Sequence, residues 1–167
     1  IISGRCVRDI PSTSGVFQEE RTPGDILNGF VAIFNNNLSA LLACSYVGVP
    51  GSDVVVGVDV TSTNQVVVSA LLNNSSDDLY FPNIGTGYEV IGSNSYVIGF
   101  NEDLTNLDFI GTFGDPNRHV QVSAFMIDEC DNIYVSGHGN WEPLNYAELT
   151  EDAFSTQGGF YLAKFEP

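Results

Sequence analysis

Apolar positions in this chain come in short runs of Val, Ile, Phe and Tyr, separated by clusters of Gly, Asn, Asp, Ser and Pro. No segment holds an apolar period of 3.6 residues, so the pattern predicts strands and turns, not helices. Strands are expected near 1–4, 29–35, 40–47, 53–60, 65–71, 95–101, 107–113, 120–128, 132–138 and 159–165. Only 147–154 has the character of a helical turn. Several runs, such as Val54-Val55-Val56-Gly57-Val58, are apolar at nearly every position. Such a strand is buried on both faces.

The runs repeat. Gly29-Phe30-Val31-Ala32-Ile33-Phe34-Asn35 returns as Ser95-Tyr96-Val97-Ile98-Gly99-Phe100-Asn101 and as Gly159-Phe160-Tyr161-Leu162-Ala163-Lys164-Phe165, with the closing phenylalanines 66 and 65 residues apart. The first two copies continue through a shared Phe-Asn-x-x-Leu step, ending at Leu38 and Leu104. Both then reach a Gly-x-Pro turn, Gly48-Val49-Pro50 and Gly114-Asp115-Pro116. A second strand recurs around Ser3, Ser69 and Ser136, at spacings of 66 and 67. Ahead of it an apolar strand ends in aspartate, read as Val58-Asp59 in one copy and Ile127-Asp128 in the other. A variable connection holds Pro11 to Phe17 in one copy and Pro82 to Tyr88 in the next.

The unit is thus four strands in about 66 residues, the composition of one β-propeller blade, whose sheet is antiparallel and buried between neighbours. The fold class expected is all-β: propeller blades, about two and a half of them. A partial blade spans 1–52, a full blade 53–119 and a second partial blade 120–167. A closed propeller needs roughly four to eight blades, so the chain is expected to be a piece of a larger propeller, with copies that complete one another as the alternative. No basic start followed by an apolar core opens the chain and no apolar run reaches membrane length, so neither a signal peptide nor a membrane span is expected.

Charge narrows the partners. Twenty-one acidic residues against 5 basic ones give a net charge of −16, and Arg5, Arg8, Arg21, Arg118 and Lys164 are scattered. Such a surface repels phosphate backbones and anionic lipid, which argues against nucleic-acid or membrane binding.

The repeat resembles a known family. Asp128-Glu129-Cys130-Asp131-Asn132-Ile133-Tyr134-Val135-Ser136-Gly137 is similar to the D-x-C-G-N-I-Y-V-S-G stretch of the seven-bladed β-propeller (SBBP) repeat family. Pro11-Ser12-Thr13-Ser14-Gly15-Val16-Phe17-Gln18 resembles its P-T-T-x-G-A-F-Q, and Gly159 to Phe165 its D-A-F-V-A-K-F. With Ser123 to Asp128 added, the likeness is to large secreted surface proteins of Bacteroidota. The resemblance covers nearly the whole chain. It departs at Asp131, where the family prefers glycine, and at Thr61-Ser62-Thr63-Asn64, which reads as a longer turn than usual. The family implies an extracellular or cell-surface module, often exported by a type IX-like system and tied to adhesion, gliding or appendages, with no common catalytic activity.

Candidate chemistry is sparse. The only histidines are His119 and His138, and a Ser-His-Asp set can be written from Ser136, His138 and Asp128, but no G-x-S-x-G elbow is present and polar turn residues are the simpler reading. Hard cations want several oxygens on a sharply turning backbone, so Ca²⁺ is the one cofactor with candidates: Asp128, Glu129 and Asp131 (beside Asn132) in one turn, Asp77 and Asp78 (after Ser75 and Ser76) in another. Neither matches the EF-hand pattern, and a solvated acidic turn competes. Trp141 and Tyr146, with Phe154, lie in the longest irregular connection and are the binding candidates, for a sugar or a protein. Cys6, Cys44 and Cys130 form no metal-ligand pattern. Cys6 is read as following the second strand of the first repeat and Cys44 as a buried apolar residue; Cys130 resembles the family's turn cysteine. Asn37-Leu38-Ser39 and Asn73-Asn74-Ser75-Ser76 carry glycosylation sequons, read as incidental.

Three functions fit these features: a non-catalytic structural or adhesive module whose partners are other proteins or further copies or blades of the same protein; a glycan-binding propeller; and a propeller hydrolase or lyase whose site lies on blades outside this sequence. The first is favoured, and no catalytic residue is expected.

Overall fold

The computed structural model describes residues 1–24, 26–74, 94–113, 120–139 and 160–166, with the side chains of 73, 74 and 120 left aside. It is all-β. The strands are β1 (Ile2–Cys6), β2 (Asn28–Phe34), β3 (Leu41–Val47), β4 (Gly51–Val60), β5 (Val66–Asn74), β6 (Ser95–Phe100), β7 (Leu107–Phe113), β8 (Val120–Ile127), β9 (Ile133–Gly139) and β10 (Phe160–Phe165). The described residues contain no helix, and the expected helical turn at 147–154 lies outside them.

Three antiparallel sheets result. Sheet one has the order β1-β2-β3, sheet two β4-β5-β6-β7 and sheet three β10-β9-β8. Their registers coincide: Ser3 faces Val31, Ser69 faces Val97 and Ser136 faces Leu162 across the equivalent strand pair. Irregularities repeat too. The pairing shifts at Ile33/Phe34 and again at Gly99/Phe100, and the first strand bulges at Val55/Gly57 and again at Val122/Ala124. A bulge turns a strand more sharply and is kept where that bend is needed.

The sheets stack face to face, and the middle one is buried on both sides. Val66, Val68, Ala70 and Leu72 of β5 join Tyr96, Ile98 and Phe100 of β6 against Val31, Ala43 and Val47 of sheet one. Val67 and Val97 point the other way, joining Val122, Ile133 and Val135 of sheet three, with the Phe113 ring 5.8 Å from Phe165 and 6.1 Å from Tyr161. This two-sided burial is the physical reason β6 reads as unbroken Ser-Tyr-Val-Ile-Gly-Phe, every residue buried. The close contacts between sheets gather on β4, which meets β1 and β2 on one side and β8 on the other.

Close approach also dictates small residues. A Cβ added to Gly137 would collide with the carbonyl oxygen of Gln121 on the paired strand and lie 2.7 Å from the Tyr161 hydroxyl. Neither neighbour is free to yield, because Gln121 belongs to the β8–β9 ladder and the Tyr161 hydroxyl donates to that same carbonyl at 3.3 Å. Gly137→Ala is therefore expected to lower stability by about 1–3 kcal/mol, read from the midpoint of urea unfolding.

Three expectations are corrected. Cys6 does not follow its strand but closes it, paired with Asn28. The strand-ending aspartates are not equivalent: Val60 pairs with Val66 as Ile127 pairs with Ile133, so Thr61, not Asp59, holds the place of Asp128. The turn at Thr61–Asn64 is also no longer than its counterpart. Thr61 closes on Gln65 and Asp128 on Asn132 with the same backbone bonds, each 3.0 Å.

Candidate functional site

The turn between β8 and β9 gathers most of the acidic candidates. Its fourth residue must take a left-handed conformation, and Asp131 (φ 64°) and Asn64 in the equivalent turn (φ 64°) both do. Glycine is the residue that adopts this most easily, and Asn and Asp tolerate it best among the others. The departure from glycine at Asp131 thus leaves the turn intact.

Asp128 spends its carboxylate on the turn itself. Its Oδ1 accepts from the backbone N–H groups of Cys130 and Asn132, each at 2.9 Å, and its Oδ2 accepts from Asn132 Nδ2 at 2.9 Å and from the Tyr134 hydroxyl at 3.1 Å. These bonds, that from the Asn132 side chain first, hold the Asp128 carboxyl below the usual aspartate range. The same pairing raises the Tyr134 hydroxyl. Because the folded state prefers the ionised acid, the contribution of Asp128 to stability is full above the ordinary aspartate pKa of about 3.9 and is lost as pH falls through its lower folded value. A ¹³C-carboxyl NMR titration should place its midpoint below that of an unfolded aspartate; an unshifted midpoint would mean the bonds are not formed.

Asp131 reaches out of its own sheet. Its carboxylate accepts from the Ser62 backbone N–H at 2.7 Å and from the Ser62 hydroxyl at 2.5 Å, on the β4–β5 turn of sheet two. Asp59 makes the reciprocal bond, Oδ2 accepting from the Ile127 N–H at 3.1 Å. Two carboxylates thus tie the first-strand ends of neighbouring sheets together. Asp59 and Ser62 were not among the sequence candidates; their only signal is an acid and a turn serine at one end of a strand, which is common. A double-mutant cycle of Ser62→Ala and Asp131→Ala should give a coupling of about 0.5–1 kcal/mol, modest because the pair is solvent-exposed.

Glu129 is exposed on the same turn. Among the described residues no three His, Cys, Asp or Glu side chains converge as metal ligands would, so Asp128, Glu129 and Asp131 stand as one turn brace, one solvated acid and one inter-sheet tie. Asp77, Asp78, Trp141, Tyr146 and His119 lie outside the described residues.

The Ser-His-Asp set is not assembled. Asp128 lies beyond one end of β9, next to Asn132, whereas His138 lies near the other end, six residues on, or roughly 20 Å along a strand. His138 instead places Nδ1 at 3.3 Å from the Ser123 hydroxyl, on the exposed face of sheet three.

The thiols are all unbridged. Burial pushes Cys6 and Cys44 up, away from reactive thiolate, and Cys6 Sγ donates to the Asn28 carbonyl at 3.4 Å. The sequon at Asn37 has a structural origin: Asn37 Oδ1 accepts from the Ser39 hydroxyl at 2.6 Å, as Asp103 Oδ1 accepts from Thr105 at 2.8 Å in the equivalent turn.

No protein-family model and no curated protein matches the chain.

Proposed function

We propose that this chain is a run of β-propeller blades of the SBBP repeat type and serves as a non-catalytic structural or adhesive module. On this reading it belongs to a large extracellular or cell-surface protein of the Bacteroidota kind, exported by a type IX-like system, and its loops and sheet faces engage other proteins. The observation that carries the reading is the thrice-repeated register: three meander-type sheets, offset by 66 or 67 residues at Ser3, Ser69 and Ser136, stacked with the middle sheet buried on both faces. The crowding of inter-sheet contacts on β4 supports sheets that converge at their first strands, as blades do around an axis. Carboxylates at the sheet ends that brace turns and tie neighbours fit a scaffold better than a reaction centre.

Two measurements test this. Electron microscopy of the natural polypeptide that contains this sequence should show a ring of radially set sheets, and a flat or open sandwich would overturn the propeller. Protease shaving of intact cells should release its peptides; release only after lysis would overturn the surface assignment.

A further inference from the structure

The turn after β2 and the turn after β6 are built alike. The Asn35 and Asn101 N–H groups close them on the carbonyls of Ala40 and Asn106, and Asn35 Nδ2 donates to the Ser39 hydroxyl at 3.0 Å as Asn101 Nδ2 donates to that of Thr105 at 2.9 Å. Each hydroxyl in turn donates to the side-chain oxygen two residues before it, Asn37 in one turn and Asp103 in the other. The Ser39 and Thr105 N–H groups reach the same oxygens, each at 3.2 Å. Every bond the turn takes from this side chain ends on an oxygen, and Asp103 supplies it as Asn37 does. What Asn37 alone adds is an amide nitrogen, and that Nδ2 donates to no described residue.

We propose that Asn37 is a glycosylation site, its side-chain nitrogen carrying an N-linked sugar. The inference rests on the extracellular reading given above. Asn37-Leu38-Ser39 is an acceptor sequence with no proline in its middle place, and such sequences are used on surface turns of exported proteins. On sequence alone it reads as incidental. The geometry adds the spare nitrogen and a hydroxyl held against the amide oxygen at 2.6 Å. A donor on that oxygen draws electron density from the nitrogen, so its proton leaves more easily. Nor does the exposure of Asn37 depend on an uncovered sheet. In the second turn Leu104 is buried in one cluster with Val16 and its carbonyl takes the Phe17 N–H, yet Glu102 and Asp103 beside it stay exposed. The place of Asn37 is therefore open to solvent even in a turn that is packed over.

The co-reactant is a sugar esterified at its anomeric carbon to a diphosphate, lipid-linked or nucleotide-linked. The Asn37 nitrogen attacks the anomeric carbon and the carbon–oxygen bond to the diphosphate breaks. The diphosphate leaves with the bonding pair, and the proton from the nitrogen passes to a carboxylate of the transferase. No oxidant or reductant enters. Asn73 and Asn74 also begin acceptor sequences, but both close β5 and their serines lie outside the described residues.

Peptide mass spectrometry of the natural polypeptide that contains this sequence, isolated from its own cells, tests the assignment. The peptide holding Asn37 should be heavier by at least one sugar residue, with fragmentation placing the sugar on Asn37. A single sugar marks a nucleotide-linked donor and a whole oligosaccharide a lipid-linked one, and either supports the site. Variants made in the same cells separate acceptor from fold. Asn37→Asp keeps the turn oxygen, as Asp103 shows, and Ser39→Ala keeps the nitrogen; both should lose the sugar. Ser39→Thr, which copies the arrangement at Thr105, should retain it. An unmodified Asn37 in every copy overturns the proposal, as does sugar on the Ser39 hydroxyl instead, or sugar that persists in Asn37→Asp. Protease shaving asks a separate question. Peptides released only after lysis sink the surface reading, whereas a bare Asn37 on peptides shaved from intact cells sinks this one alone.

Discussion

Phe100→Ala is expected to cost about 3–5 kcal/mol, enough to unfold a marginally stable domain of this size. Phe100 closes β6 and is fully buried between sheets one and two. Its ring meets Phe17 edge to face, with centroids 5.8 Å apart, and Phe17 belongs to the connection after β1. Alanine would remove the ring and leave a cavity whose walls are held by three separate segments. Collapse into it is resisted on one side by the β5–β6 pairing of Phe100 with Val66 and on another by the bond from the Phe17 N–H to the Leu104 carbonyl, 2.7 Å. Chemical denaturation with a single cooperative transition would read the loss directly, and a cost under about 1 kcal/mol would mean that the two sheets do not share this core.

A paired substitution makes a sharper test. Leu38 and Leu104 occupy the same place in equivalent turns, both left-handed (φ 59° and 62°), each donating its N–H to the asparagine three residues earlier. Leu104 is nevertheless fully buried with Val16, whereas Leu38 is exposed. Leu104→Ala should cost about 2–5 kcal/mol and Leu38→Ala less than about 0.5 kcal/mol in the single chain. The same side chain in the same backbone geometry thus differs in whether another segment of the chain packs over it. Equal costs would mean that the packing of the β1–β2 connection against sheet two is wrong at this edge.

Strand positions and their order within each sheet were legible in the sequence because each repeat is an independent reading of one pattern, whereas the strand expected to be buried on both faces, Val54 to Val58, is half-buried apart from Val55, and the fully buried strand is β6. Where Ser3, Ser69 and Ser136 agree, local ambiguity cancels. The same device misled at Asp59 and Asp128. Both follow an apolar run, but the two strands end two residues apart relative to their partners, and pairing, not composition, decides which residue begins the turn. Turn chemistry was half legible: Asp131 stood out as a departure from glycine, and the tolerance of Asn and Asp for positive φ explains why Asn64 and Asp131 serve. The tie from Ser62 to Asp131 was hidden because it joins residues 69 positions apart through side chains that are common on any surface. The acidic turn looked like a cation site on content alone, but Asp128 and Asp131 already have protein donors on their oxygens.

The connection between β1 and β2 has a consequence for the free border of sheet one. Thr13 and Gln18 donate to and accept from the backbone of β3: the Thr13 N–H reaches the Cys44 carbonyl, the Cys44 N–H reaches the Thr13 hydroxyl, the Tyr46 N–H reaches the Gln18 carbonyl and the Gly48 N–H reaches Gln18 Oε1. Each amide that β3 would otherwise turn outward at these positions is occupied by a strap of the chain's own making. An uncovered strand border is a template for a stranger's strand. Here a Pro-led segment of the chain itself stands guard over it, so a single cut in that strap is expected to leave those amides open to the strand of another chain.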